Sequence, residues 1–181
     1  MIQVRDSILA VNGSLNPQMG GPGIYTEIPA VVLAGQSRPG DGWGKSPEDQ
    51  ENRRSVYIHV KRSLITPVIA SFDGPETDFT CPVRFATTQP TQALSLLNSE
   101  FINKEARKFA AYLKKQAGGH AQAEVKLALW RVTQREPSAT EVARGVALMR
   151  SLQQKNLISG EDSLVSFCVV ALNLNEFIYV E

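Results

Sequence analysis

The chain has 181 residues, 43% of them hydrophobic and 20% charged, with a net charge of +1. These values are ordinary for a globular protein, and the length suits one domain with room for a sizeable core. So small a net charge supplies no general field for nucleic acid or an anionic membrane surface, and no apolar run approaches the roughly 20 residues of a membrane span.

Residues 2–11, IQVRDSILAV, read as a short helix with Val4, Ile8 and Val11 on one face and Gly13 as its stop. Met1 leads straight into it, without the pattern of an export signal. Residues 12–52 read as an irregular arm. Its two segments NPQMGGPG and SRPGDGWGKSPEDQEN are dense in turn residues, with an apolar patch at 28–33 between them. Over 54–61 the alternation of Val56, Ile58 and Val60 predicts a short strand, with a helix as the competing reading. A short apolar segment at 64–72, a turn at Asp73-Gly74-Pro75 and an extended stretch at 82–88 follow.

From Pro90 onward the pattern is helical. A first helix covers 91–97. Asn98 or Ser99 then caps a second that reaches about Gln116, with Ile102, Ala106, Phe109, Ala110 and Leu113 as its stripe and Gly118-Gly119 as its end. Another spans 121–133. Ser138 and Glu141 form an S-x-x-E capping box for the next, whose stripe is Val142, Val146 and Met149. After a linker at 155–160, a last helix over 161–175 is apolar on most sides and therefore central. Short connections predict antiparallel neighbours. The expected fold is mainly α: a helical bundle behind a loop-rich N-terminal half, with at most one short β element. The expected organisation is a single domain over 1–181: helix plus arm at 1–52, a loop-rich central block at 53–89 and the bundle at 90–181.

The residues that carry chemistry gather in the central block. Arg53, Arg54, Lys61 and Arg62 form a basic cluster with no acid among residues 53–62. It suits either a sulfate, phosphate or carboxylate ligand, or structural pairing with Asp73, Glu76 and Asp78. Asp73 and Arg84 flank the loop GPETDFTCPV as a prospective clamp, and Gln89 and Gln92 just beyond are placed to satisfy its backbone groups. Asp73 and Asp78 lack the alternating ligands of a calcium loop.

Cys81 is a nucleophile only with a base beside it, and His59 is the base at hand in that half of the chain. There is no G-x-S-x-G, phosphate loop or dinucleotide fingerprint. Two histidines without metal-like spacing argue against zinc, and neither cysteine belongs to a C-x-x-C-H haem motif. Cys168, inside an apolar helix, reads as a small core residue. Trp43 in GDGWG, with Tyr25 and Tyr57, suits a platform for a sugar or a partner, or a plain loop anchor.

Several segments together resemble one family: RDSILAVNGSLNPQMGGPGIY, VLAGQSRPG, RRSVYIHVKRSLITPVIASFD, CPVRFATTQPTQALSLLNSEFI and the closing ALNLNEFIYVE. The chain is similar to the C-terminal uncharacterised domain of planctomycete cytochrome-c-domain proteins, domain of unknown function 1553. The resemblance implies an exported protein, periplasmic or at the cell surface, whose partners are upstream domains of the same polypeptide. Haem would belong to such an upstream domain, so no cofactor is expected in this chain. Met1 falls where relatives continue a helix leftward, which implies a fragment truncated at its N-terminus. The family has no assigned activity, so it transfers no catalytic residue. The leading expectation is an accessory or partner-docking module. The alternative is an enzyme domain acting on an anionic polysaccharide through an Arg/Lys/Asp site. Neither involves nucleic acid or a membrane span.

Overall fold

The structure is a computed structural model that describes residues 2–62, 64 and 96–179. It divides into two compact units: Met1–Ala10 with Ser14–Ser95, and Val11–Gly13 with Leu96–Glu181. The expected segments at 65–95, including most of the helix at 91–97, lie outside the described residues.

The first α-helix, α1 (Ile2–Val11), has the predicted bounds and belongs to the first unit as far as Ala10. Val4, Ile8 and Leu9 are buried. Gly13, at φ +79°, occupies the left-handed region that favours glycine, and the Ser14 and Leu15 N–H groups both donate to the Leu9 carbonyl at 2.9 Å. The arm that follows is irregular apart from two short helices, α2 (Ala30–Ala34) and α3 (Glu48–Glu51), neither of which buries a residue.

The expected strand at 54–61 is corrected. Ser55–Tyr57 is a 3-10 turn, and Ile58 makes an isolated parallel bridge with Ile24. The Ile24 N–H donates to Tyr57 O at 2.8 Å, and the His59 N–H donates to Ile24 O at 2.7 Å. The turn breaks the period of two, so Ile58 is buried while Val56 and Val60 are 60% and 68% exposed.

The second unit is a bundle of α4 (Glu100–Ala117), α5 (Ala121–Thr133), α6 (Ala139–Asn156) and α7 (Gly160–Ala171), followed by the short α8 (Asn175–Ile178). Contacts run in a ring: α4 packs on α5 and α7, and α6 packs on α5 and α7. Three- to five-residue connections turn each helix back along the one before it. The predicted stripe of α4 is buried in full. Gly118 ends α4 in the left-handed region, and Gln134 does the same for α5. Ser138 and Glu141 form the reciprocal capping box at the start of α6. Ser99 stands at the N-cap position of α4, but its side chain makes no capping bond.

The last helix also differs from expectation. α7 stops at Ala171, and Leu174 is extended (ψ 137°) before α8 begins. Asn173 sits at the break and donates from Nδ2 to the Val169 carbonyl at 2.7 Å. Asparagine side chains compete in this way with the backbone for helical carbonyls. α7 is central as expected, with Leu164, Phe167, Cys168 and Ala171 buried, although Val170 faces outward.

Candidate functional site

Arg53 is the organising residue of the basic cluster, and it is 1% exposed. Its guanidinium holds the preceding loop. Nε donates to the Gln18 carbonyl at 3.4 Å, Nη1 to Pro22 O at 3.2 Å, and Nη2 to Gly20 O. The group lies 4.0 Å from the centroid of the Tyr57 ring, and the Tyr57 hydroxyl accepts from the Gly20 N–H at 2.8 Å. A planar fork with five donors suits this task, because a glycine-rich loop turns several carbonyls toward one point. Among the described residues, the charge is met by backbone dipoles rather than by a carboxylate.

A second buried arginine, Arg5 of α1, does the same for the segment on either side of Arg53. Nη1 donates to Arg53 O at 3.0 Å and to Ser55 Oγ at 3.1 Å, and Nη2 donates to Glu51 O at 2.5 Å. Asp6 accepts from the Ser55 N–H at 2.8 Å and from its hydroxyl at 2.6 Å. A serine held by a carboxylate has the outline of an activated hydroxyl, but Ser55 is buried and closed to a substrate.

Lys61 donates from Nζ to the Asp41 carbonyl and so pins the GDGWG loop. In that loop Trp43 packs edge-on to Tyr25 (ring centroids 5.5 Å apart) and to His59 (6.0 Å), while Tyr25 and His59 are 4.9 Å apart. The indole N–H donates to Thr26 O at 3.0 Å. A β-carbon at Gly44 would stand 2.9 Å from the Tyr25 ring, so only glycine lets the loop close over it. The three rings pack against one another, two of the pairs edge to face, which is the arrangement of a loop anchor.

Arg54 and Arg62 are exposed. Asp73, Arg84, Gln89 and Gln92 lie outside the described residues, as do the proposed Asp73–Arg84 clamp and the Cys81–His59 pairing. The structure therefore brings together Arg53 and its carbonyls at one end of the cluster and Lys61 with the Trp43 loop at the other. Among the described residues, no three of His, Cys, Asp and Glu gather as a metal site.

The second unit buries or half-buries polar groups that the sequence reading did not single out. Glu105 on α4 accepts from Asn12 Nδ2 at 2.5 Å and pairs with Lys108 at 3.1 Å. Arg131 on α5 donates to Val11 O at 2.5 Å and to the Tyr112 hydroxyl at 2.8 Å. Glu124 is buried beside Cys168, a free thiol whose pKa is pushed well up by burial and, second, by Glu124. Such a thiol is inert at neutral pH. A signal for the two acids existed. Glu105 is three residues from Ile102 and four from Phe109, and Glu124 is four from Ala128, so each stands on an apolar stripe. An ionisable group there implies a buried partner.

No curated protein and no solved structure matches the chain. A family model does, over residues 1–149, which takes in the whole first unit and the bundle as far as Met149 in α6. The chain therefore belongs to the PSD1 family, proteins of unknown function (DUF1553).

Proposed function

We propose that this chain is an accessory, partner-docking module of an exported multidomain protein, seated on domains upstream of it in the same polypeptide. The observation behind this reading is the state of Arg53. Its guanidinium is buried and bonded to three carbonyls of the loop that holds Gln18, Gly20 and Pro22. The residue best placed to anchor an anionic substrate is committed to holding the fold. The same loss weakens the alternative, an enzyme domain that grips an anionic polysaccharide through an Arg/Lys/Asp site. Any haem would be carried by an upstream domain.

The test is to express the upstream domains separately and titrate them with this chain by calorimetry. A saturable one-to-one complex is the expected result. No complex, together with release of reducing ends from a sulfated or uronic-acid polysaccharide, would favour the enzyme.

A further inference from the structure

A groove of about 1070 Å³ runs along the outside of the second unit, between the N-terminal half of α5 and the length of α6. Its floor is made of small side chains. Ala139, Ala143 and Ala147 recur every fourth residue of α6, all three are exposed, and the half-buried Val146 lies beside them. A row at i, i+4, i+8 is one of the ridges by which helices pack, and alanines along it allow a second helix to approach closely. From Ala139 to Gln154 the groove follows 15 residue steps of α6, about 22 Å at 1.5 Å per residue, or roughly four turns of a partner helix.

The charge of the groove selects its occupant. Among the described residues, its lining includes Lys126 and Arg150 and no carboxylate. Lys126 is already paired with Glu136 at 2.6 Å, whereas Arg150 makes no hydrogen bond or ion pair among the described residues. A second copy of this groove would bring like charges together, so self-association through it is disfavoured.

We propose that the α5–α6 groove is a docking site for an amphipathic helix of a partner, one with small apolar residues on one face and Asp or Glu along its flank. This deepens the docking role proposed above and rests on it. Alanine floor and cationic wall act together: the floor sets how near the helix comes, and Arg150 sets which flank it must carry.

The probe is a labelled 16-residue designed helix with an alanine and leucine face and glutamate flanks, compared with a twin whose flanks are lysine. Both are titrated by fluorescence anisotropy against the full chain. The glutamate helix is expected to bind saturably, and the lysine twin at least tenfold more weakly. Ala143→Trp and Arg150→Glu are each expected to weaken the glutamate helix about tenfold. Both positions are exposed, so the variants should keep the wild-type melting curve. Equal binding of the twins, no binding, or binding that neither substitution alters overturns the assignment. The upstream domains separate this outcome from failure of the docking role. A complex with them that both variants leave intact preserves the role and removes the groove from it.

Discussion

Gly145 of α6 lies directly against Val125 of α5: a β-carbon at 145 would stand 2.6 Å from Val125 Cγ1, and 2.9 Å from Cε2 of Phe167 on α7. Three helices of the bundle meet at a point where only a hydrogen fits. Gly145→Ala would gain about 0.5–1 kcal/mol of helix propensity. Forcing a methyl into a packed core costs about 1–3 kcal/mol, because Val125 and Phe167 are buried and have no room to withdraw. The clash should win. The expected result is a lower denaturant midpoint with an unchanged slope, and a raised midpoint would contradict it.

Phe167 itself is 4% exposed at the centre of the bundle. Phe167→Ala removes a buried ring and leaves a cavity, at a cost of about 3–5 kcal/mol. Urea unfolding followed by far-ultraviolet circular dichroism measures it. A loss below about 1 kcal/mol would show that α7 is not the core element.

Arg53 distinguishes charge from shape. Arg53→Lys keeps the charge but not the fork, so it leaves unmet some of the carbonyls of Gln18, Gly20 and Pro22. A hydrogen bond to a charged group contributes about 1.5–3 kcal/mol, and less here because Gln18, Gly20 and Pro22 are exposed to water. Arg53→Lys should therefore destabilise the first unit by more than about 1 kcal/mol and speed proteolysis within residues 17–23, with Arg53→Ala worse. If lysine proves as good as arginine, the role is charge alone.

Arg135 holds α8 to the corner between α5 and α6. Its guanidinium donates to both oxygens of Glu141 (2.6 and 3.1 Å) and both of Glu176 (2.7 and 2.9 Å). The Arg135 hydrogen bonds, followed by those from the Ser138 N–H and hydroxyl, push the Glu141 pKa down from 4.5 to about 2. Arg135 also lowers that of Glu176. A carboxylate with a depressed folded pKa adds stability that is present above its unfolded pKa and lost as pH falls through the folded value. The latch should therefore hold at pH 6 and loosen between about pH 4.5 and 2. Arg135 and Glu176 are exposed and Glu141 is half-buried at the surface, so the effect should be modest and should shrink in high salt. Hydrogen exchange checks it: amides of residues 175–178 should exchange faster, relative to those of α7, at pH 2.5 than at pH 6. Arg135→Gln should remove that difference, and a difference that survives the substitution would count against the latch.

Much of the bundle was legible because its signals are short-range. Ser138 and Glu141 are three residues apart, so the capping box closes within one turn whatever the rest of the chain does. The α4 stripe follows from the 3.6-residue period, and the stop of α1 follows from the left-handed backbone of Gly13. The two errors came where local signals compete. The β-branched alternation at 56–60 promised a strand, but Ile24 offers one bridging residue beside glycine and proline, and a 3-10 turn takes its place. In the last helix an apolar run concealed Asn173, whose amide takes a helical carbonyl just where the backbone turns out.

What the sequence by itself determined is the helical class, the caps and turns, and which faces are apolar, since each depends on neighbours within about four residues. What only the tertiary structure decided is where the long polar side chains end. Glu105 meets Asn12 across 93 positions, Arg5 meets the Arg53 carbonyl across 48, and Arg53 meets three carbonyls of a loop more than 30 residues away. Composition marks such groups only as charges in need of partners. A guanidinium is satisfied equally by a ligand, a carboxylate or a cluster of carbonyls, and the path of the chain chooses among them.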